Sequence, residues 1–278
     1  MSDMWATPVA CEPDLSQDQI DYLAHLLDLQ TWPAVLAVGP RHECADERER
    51  AWAVAASELN AAGWLTDDPD PAVGVVVAEA LAQALAILSH PDVLLEIRCH
   101  SDTSTRRTCI ARRGDHHVLA SRTDSGLLFR DIAIGADAEV GQLVARLLDP
   151  ADAAQVASVS VTADDLRRRL DGANTAAQYA DALHAMGVAA ADAAAYAVAF
   201  DTCCGHTEIV AIECAAGRMR RSAGAVAVYD TSRGRIVAGP SMSPDGQIWS
   251  TLSPGTGHRI SQAVTLLMET LPARRWLP

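Results

Sequence analysis

The residues with the greatest potential for chemistry are two cysteines and a histidine in the segment DTCCGH (201–206). A histidine beside a cysteine can lower the pKa of the thiol and so create a thiolate nucleophile. Cysteine and histidine are also zinc ligands, but Cys203, Cys204 and His206 are poorly spaced for a tetrahedral site and no fourth ligand is evident. We therefore interpret this segment as a junction between a helix and a strand.

Two other segments carry potential ligands. His116 and His117 are predicted on a strand, where consecutive side chains point to opposite faces, so they cannot chelate one ion together. The segment SPGTGHR (253–259) could present backbone amides to a phosphate at the start of a helix. The related segment IGADAEV (134–140) places Asp137 and Glu139 in the equivalent turn, where they would repel an anion. Helix capping is therefore the better interpretation of SPGTGHR.

Motifs of common catalytic and cofactor sites are absent from the sequence, including GxSxG, HExxH, GxGxxG, the phosphate-binding loop and CxxC. All 22 basic residues are arginines, which excludes lysine-dependent chemistry. The formal net charge of −14 disfavours binding to nucleic acid, which requires a basic face. We predict a protein that is not an enzyme and that has no catalytic residues, metal site or cofactor.

Cysteine usage and hydropathy predict a cytoplasmic protein. The seven cysteines lack the spacing of a disulfide framework, which is typical of a reducing compartment. The first thirty residues lack the basic and apolar regions of a signal peptide. The longest apolar stretch, at 72–88, contains Glu79 and Gln83 and is too short and too interrupted to span a membrane. We expect no membrane insertion.

The elements that would position these residues follow from hydrophobic spacing and turn residues. The first half is predicted to contain a strand at 8–11, a helix capped by Asp14 or Ser16, a strand at 34–38, helices at 43–63 and 72–89, strands at 93–99, 108–113, 116–121 and 127–134, and a helix around 140–147. The segments 66–71 and 101–107 are predicted as loops. The second half is predicted to contain helices at 162–170, 173–186 and 189–200, strands at 208–214, 225–230, 235–238 and 247–252, and a closing helix around 260–271.

The segments 113–148 and 233–268 are similar at a constant separation of 120 residues. Without a gap they share eight identities, three of which are glycines in predicted turns. The same order of turn, strand, turn, strand and helix occurs in both. We interpret the two segments as parts of a duplicated half-domain.

These patterns predict an α+β fold with a mixed, largely antiparallel central sheet flanked by helices. The repeat predicts an internal pseudo-two-fold symmetry in which 113–148 is echoed by 233–268. We expect one domain over residues 1–278, with halves of about 1–150 and 151–278.

The C-terminal segment VYDTSRGRIVAGPSMSPDGQIWSTLSPGTGHRISQAVTLLMETLP (228–272) resembles the end of the EspG family of type VII (ESX) secretion proteins of mycobacteria and their relatives. The N-terminal segment LSQDQIDYLAHLLDLQTWPAVLAV (15–38) resembles that family's opening helix followed by a Pro-Val-Leu strand. The shared features are turns and hydrophobic patterns in a common order, and they extend over nearly the whole chain.

The resemblance implies a cytoplasmic specificity chaperone that binds PE–PPE heterodimers at the apolar tip of the PPE protein and keeps them soluble for export. Such a protein must expose an apolar surface to its partner. The resemblance implies that this surface lies on the sheet and the C-terminal helical region. The predicted partner-binding residues are Ile209, Ala211, Met219, Tyr229, Trp249, Thr251, Val264 and Met268.

Two alternatives from other functional classes remain. The first is a cysteine-dependent enzyme that uses Cys203 or Cys204 with His206. The second is a self-associating structural protein, because both faces of the strand at 208–214 are apolar and a weak homodimer could cover one of them.

Overall fold

The computed structural model describes residues 13–68 and 74–278. The strand predicted at 8–11 and residues 69–71 of the first predicted loop lie outside these residues. The chain divides into two compact units. The first contains residues up to Leu94 together with Arg107–Ala133, and the second contains Leu95–Arg106 and Ile134–Pro278. One domain over residues 1–278, with halves of about 1–150 and 151–278, stays a prediction.

The first unit combines helices with an antiparallel sheet. Its helices are α1 (Gln17–Leu26), α2 (Ala45–Ala61), α3 (Glu79–Ser89) and a short 3-10 helix at Ala34–Leu36. Its strands are β1 (Asp14–Ser16), β2 (Leu65–Asp67), β3 (Val75–Val77), the start of β4 (Val93–Ser101), most of β5 (Thr105–Arg113), β6 (His116–Arg122) and β7 (Gly126–Ile132). The main sheet has the order β1-β7-β6-β5, and β2 pairs with β3 in a separate ribbon.

The start of α1 follows the prediction. Ser16 accepts a hydrogen bond from the amide of Gln19, and the Gln19 side chain accepts one from the amide of Ser16, at 3.2 and 2.9 Å. This reciprocal pair satisfies amides that a helix N-terminus otherwise leaves without a partner. Ile20 and Leu23 of α1 are fully buried.

Two other predictions for this unit were wrong. Residues 34–38 do not form a strand, because the amide of Leu36 donates to the carbonyl of Pro33 at 3.0 Å and Ala37 then turns the backbone with a φ of 49°. The helix predicted at 72–89 begins only at Glu79, because Val75–Val77 pairs with β2. Three consecutive valines favour the extended backbone that β3 adopts.

The second unit contains a larger sheet. Its helices are α4 (Asp137–Leu147), α5 (Ala163–Leu170), α6 (Ala176–Ala185), α7 (Ala190–Phe200) and α8 (Gly257–Met268). Its strands are most of β4, then β8 (Val159–Thr162), β9 (Cys203–Ala215), β10 (Arg218–Arg221), β11 (Val226–Thr231), β12 (Gly234–Met242) and β13 (Ile248–Pro254). The strand order is β4-β9-β11-β12-β13-β8, with β10 beside β9. Strand pairing is antiparallel, and an isolated parallel bridge joins Ala153 to Arg235.

Strands account for most of the differences from the predictions in this unit. The segment 101–107 was predicted as a loop, but β5 begins at Thr105. The strand predicted at 208–214 begins five residues earlier, at Cys203. Strands β8 and β10 were not predicted, because four-residue segments rich in Ser, Thr or Arg carry little hydrophobic periodicity. The predicted α+β class, with a largely antiparallel sheet flanked by helices, is confirmed.

Helices cover both faces of the second sheet. On one face, Tyr196 and Phe200 of α7 belong to a core cluster with Ile236, Ala238 and Leu252 of the strands. On the other face, Gly239 lets β12 approach α8, since a Cβ there would lie 2.6 Å from the Cβ of Ala263. Within residues 13–68 and 74–278, no helix has both the length and the apolar character needed to cross a membrane.

The elements of the two similar segments coincide at the separation of 120 residues. Helix α4 spans 137–147 and α8 spans 257–268, and the turn glycines Gly114 and Gly234 both have positive φ, of 57° and 105°. The two helices also pack against each other at equivalent positions, because a Cβ at Gly141 would lie 2.9 Å from the Cα of Ser261. This correspondence supports the duplication, which stays a prediction.

Candidate partner-binding site

Between α5, α6 and α7 and the strands β11–β13 lies a cavity of about 620 Å³ that is partly open to solvent. Its lining is mainly apolar. We call it the aromatic groove and define it by Leu166, Leu170, Tyr179, Phe200, Tyr229 and Ile248. A cavity of this size can accept several apolar side chains of a partner.

Three aromatic rings form one wall of the aromatic groove. The ring centroids of Tyr179 and Phe200 are 5.6 Å apart at 49°, and those of Phe200 and Tyr229 are 5.2 Å apart at 78°. Behind them Tyr196 stacks on Phe200 at 5.9 Å and donates a hydrogen bond to the carbonyl of Ala157 at 2.7 Å. Edge-to-face and tilted rings of this kind hold one another in place. The wall is therefore preformed.

The helices around the aromatic groove are held by local caps. Thr162 and Thr175 cap α5 and α6 by accepting hydrogen bonds from the amides of Asp165 and Gln178. The carboxylate of Asp201, just after α7, accepts a hydrogen bond from the amide of Ala176 at 3.0 Å and so joins the end of α7 to the start of α6. These side chains satisfy amides at helix N-termini.

The interior of the aromatic groove is neutral, whereas its rim is charged. Burial raises the pKa of Tyr229, so its hydroxyl stays protonated at neutral pH. On α5, Asp164 and Arg167 lie 3.9 Å apart, and Asp165 pairs with Arg168. The hydrogen bond from Thr162, followed by the contact with Arg168, lowers the pKa of Asp165. A partner would therefore meet an apolar interior with ion pairs along the edge formed by α5.

The cysteine cluster lies at the predicted junction, since α7 ends at Phe200 and β9 begins at Cys203. Burial raises the pKa of Cys203, which keeps its thiol protonated. The Cys204 thiol donates to the carbonyl of Asp230 at 3.3 Å, and His206 stacks on His100 at 4.7 Å. Within the described part of the chain, no three His, Cys, Asp or Glu side chains are placed to hold a metal ion. The raised pKa of Cys203 is the opposite of the lowered thiol pKa that a cysteine nucleophile needs.

The eight predicted partner-binding residues divide by exposure. Met219 on β10 is 71% exposed and Trp249 on β13 is 37% exposed, whereas Tyr229 and Thr251 are half-buried. The remaining four side chains are buried in the protein's own core, and these are Ile209, Ala211, Val264 and Met268. Only the exposed and half-buried residues have surface available to a partner in this conformation. A role for any of the eight stays a prediction.

The structure does not bring the eight residues onto one surface. Tyr229 lines the aromatic groove, on the sheet face covered by α5–α7. Trp249 and Thr251 alternate with Ser250, which also lines the groove, so they lie on the opposite face of β13. Tyr179 and Phe200 were missed by the sequence reasoning. The available signal was that these aromatic residues occur in helices built mainly of alanine.

A model of the EspG family matches residues 16–265, which is most of the chain. The chain belongs to the EspG family. It is 29% identical over 270 residues to the ESX-1 secretion-associated protein EspG1 of Mycobacterium tuberculosis, covering 95% of this chain and 89% of that protein. It is 26% identical over 266 residues to the ESX-3 secretion-associated protein EspG3 of Mycolicibacterium smegmatis, with the same coverage of both chains.

A solved structure shares the fold of this EspG family member. It is the type VII secretion system chaperone EspG5 of Mycobacterium tuberculosis, in complex with a PE25–PPE41 dimer. The TM-score is 0.77 at 20% identity, covering 96% of this chain and 99% of EspG5. The resemblance seen in the two terminal segments is thereby confirmed over nearly the full length.

Proposed function

We propose that this EspG family member is a cytoplasmic, non-enzymatic specificity chaperone of type VII secretion. In this proposal it binds a PE–PPE heterodimer through the apolar tip of the PPE protein and keeps the pair soluble for export. The proposal draws on the family and on the complex in which its structural neighbour EspG5 was solved.

The single observation that carries the proposal is the aromatic groove. It is a preformed apolar cavity of about 620 Å³ on a protein with a formal net charge of −14. Burial of apolar side chains supplies most of the free energy of protein association, while net charge keeps the rest of the surface soluble. In this proposal the half-buried Tyr229, in the aromatic wall of the groove, is the one of the eight predicted partner-binding residues that contacts the partner there.

The aromatic groove can be tested by placing a charge at its edge. Leu170, the last residue of α5, lines the groove and is half-buried, so Leu170→Glu should put a carboxylate beside the aromatic wall. An unpaired carboxylate opposes apolar docking. Leu26→Glu on α1, at a leucine that is 36% exposed and outside the groove, is the matched control.

The measurement is co-expression with candidate PE–PPE pairs, followed by pull-down and size-exclusion chromatography. We expect a 1:1:1 complex with the unmodified chain and with Leu26→Glu, and loss of that complex with Leu170→Glu. Retention of the complex by Leu170→Glu would exclude the groove as the binding site. Failure of every soluble pair, together with a dimer in sedimentation, would favour self-association instead.

A further inference from the structure

The strand β10 carries a basic edge on an acidic protein. Its sequence is Arg218-Met219-Arg220-Arg221, and all four residues are exposed. Met219, at 71%, is the most exposed large hydrophobic side chain in the described part of the chain. Arg221 lies 3.8 Å from Glu208, but neither Arg218 nor Arg220 forms an ion pair with any described acidic residue. Positive charge is therefore concentrated at this strand, where Arg221 lies near Glu208 and Arg220 is the cross-strand neighbour of Glu213 without forming an ion pair with it.

The outer edge of β10 is also open for hydrogen bonding. Strand β10 pairs with β9 on one side, and no other described strand pairs with it. The hairpin turns at Ala216 and Gly217 with φ values of 50° and 70°, as in a two-residue hairpin turn whose flanking residues bond to each other. The amide of Ser222 donates to the carbonyl of Ala211 at 2.8 Å. In an antiparallel pair every second residue directs its backbone groups towards the partner strand, so Arg218, Arg220 and Ser222 face β9. The backbone groups of Met219 and Arg221 therefore point away from β9.

The C-terminal end of β10 is anchored by hydrogen bonds of Ser222, the residue that follows the strand. The Ser222 hydroxyl accepts a hydrogen bond from the amide of Ala211 at 3.2 Å and donates one to the carbonyl of Gly224 at 2.9 Å. These bonds secure the irregular connection between β10 and β11. A preformed edge loses little conformational entropy when another strand is added to it.

We propose that the outer edge of β10 binds an acidic, extended segment of a partner protein by strand addition. Main-chain hydrogen bonds to Met219 and Arg221 supply the alignment, and Arg218 and Arg220 pair with carboxylates on one face of the added strand. Because side chains alternate along a strand, the segment has acidic residues at every second position and apolar residues, which face Met219, between them. This site is separate from the aromatic groove and does not depend on the function proposed for it.

Charged residues on an edge strand can also serve only to prevent aggregation. Two observations favour binding instead. Strand β8, the last strand in the sheet order of the second unit, has the sequence Val-Ser-Val-Thr and no charge, so charge is not used generally to protect this sheet. Protection also does not require a methionine as exposed as Met219 between two arginines.

The test uses the full chain and a fluorescent peptide of four Glu-Val repeats, measured by fluorescence anisotropy. A peptide of the same composition arranged as Glu-Glu-Val-Val repeats controls for the alternation. We expect the alternating peptide to bind more tightly than the rearranged one, and Arg218→Glu with Arg220→Glu to weaken its binding by about tenfold or more. Arg233→Glu, at an exposed arginine in the turn before β12, should change binding by less than about twofold.

Main-chain pairing is tested with Met219→Pro, which an edge strand tolerates because the missing amide is the one that points outward. We expect this variant to lose binding while its thermal unfolding is unchanged. The proposal is overturned if no alternating peptide binds at millimolar concentration, if both peptides bind equally, or if Met219→Pro binds as the unmodified chain does. Arginine-dependent binding to phosphatidylserine vesicles without binding to either peptide would overturn it in favour of a membrane surface.

Discussion

The two similar segments each carry one aromatic residue at the equivalent position, and the two residues differ in solvent exposure. Phe129 on β7 and Trp249 on β13 are equivalent at the separation of 120 residues, yet Phe129 is 2% exposed and Trp249 is 37% exposed. The cross-strand neighbours of Trp249 are Ser241 and Thr162, whereas Phe129 lies opposite Ala120. An aromatic residue at the same place in the same pattern is therefore a core residue in one segment and a surface residue in the other.

The shared glycines differ in the same way. A Cβ at Gly126 would collide with the backbone of Leu15 in β1, whereas Gly246 has open space and a φ of 84°. At the next shared position the crowding is reversed, because Gly255 lies against Arg235 while Gly135 has open surroundings. Gly126 and Gly255 thus allow another backbone segment to approach closely. Their equivalents differ, since Gly246 adopts a positive φ in a turn and Gly135 has room for a side chain. Identity between repeats does not establish identity of role.

The largest expected difference in the free energy of unfolding is between the variants Phe129→Ala and Trp249→Ala. Removing the buried ring of Phe129 should lower the free energy of unfolding by about 3–5 kcal/mol, because it leaves a cavity. Removing the partly exposed ring of Trp249 should lower it by less, about 1–3 kcal/mol, because part of the ring is already in water. Urea unfolding followed by circular dichroism measures both. Equal losses would show that Trp249 is as much a part of the core as Phe129, and would contradict the comparison.

A second, smaller difference in stability is expected between the variants Gly255→Ala and Gly135→Ala. A Cβ at Gly255 would lie 2.7 Å from the backbone carbon of Arg235, and the amide of Gly255 already donates to the carbonyl of Arg235 at 2.7 Å. The strand and turn must shift, at a cost of about 1–3 kcal/mol. At Gly135 the nearest atom is 3.9 Å away, so alanine should change stability by less than about 0.5 kcal/mol.

The midpoints of thermal unfolding compare the two alanine variants directly. Gly255→Ser should be destabilised like Gly255→Ala, since both introduce a Cβ. A Gly255→Ala variant as stable as the unmodified chain would show that Arg235 can move aside. The short distance between a Cβ at position 255 and Arg235 would then not affect stability.

Local features of the fold could be predicted from the sequence, whereas the site could not. Ser16 and Thr256 were predictable as helix caps because capping depends on residues within one turn. The residues that line the aromatic groove come from three helices and several strands, among them Leu170, Tyr179, Phe200 and Tyr229. Hydrophobic spacing identifies an apolar face, but not whether a neighbouring element closes over it. For the same reason the buried Val264 and the exposed Trp249 were predicted together as surface residues.

The smallest expected effect concerns the pH dependence of stability, and it contrasts His117 with its equivalent, Val237. Both are buried, at 2% and 1% exposure, but only His117 titrates. Burial, followed by repulsion from Arg112, lowers the pKa of His117, against smaller opposing contributions from Asp131 and Asp115. The unfolded chain therefore binds more protons than the folded chain just below the ordinary histidine pKa of about 6.5. Stability should fall as the pH decreases through this value towards the lowered pKa of the folded state.

His117→Val, which copies the second segment, should flatten this part of the stability–pH curve. Substitution of the exposed neighbour, as His116→Val, should leave the slope unchanged and serves as the control. The measurement is the urea midpoint between pH 5 and pH 7.5. An unchanged slope in His117→Val would assign the pH dependence to other groups. A flattened slope would show that one titrating side chain makes the first segment sensitive to pH at a position where the second is not.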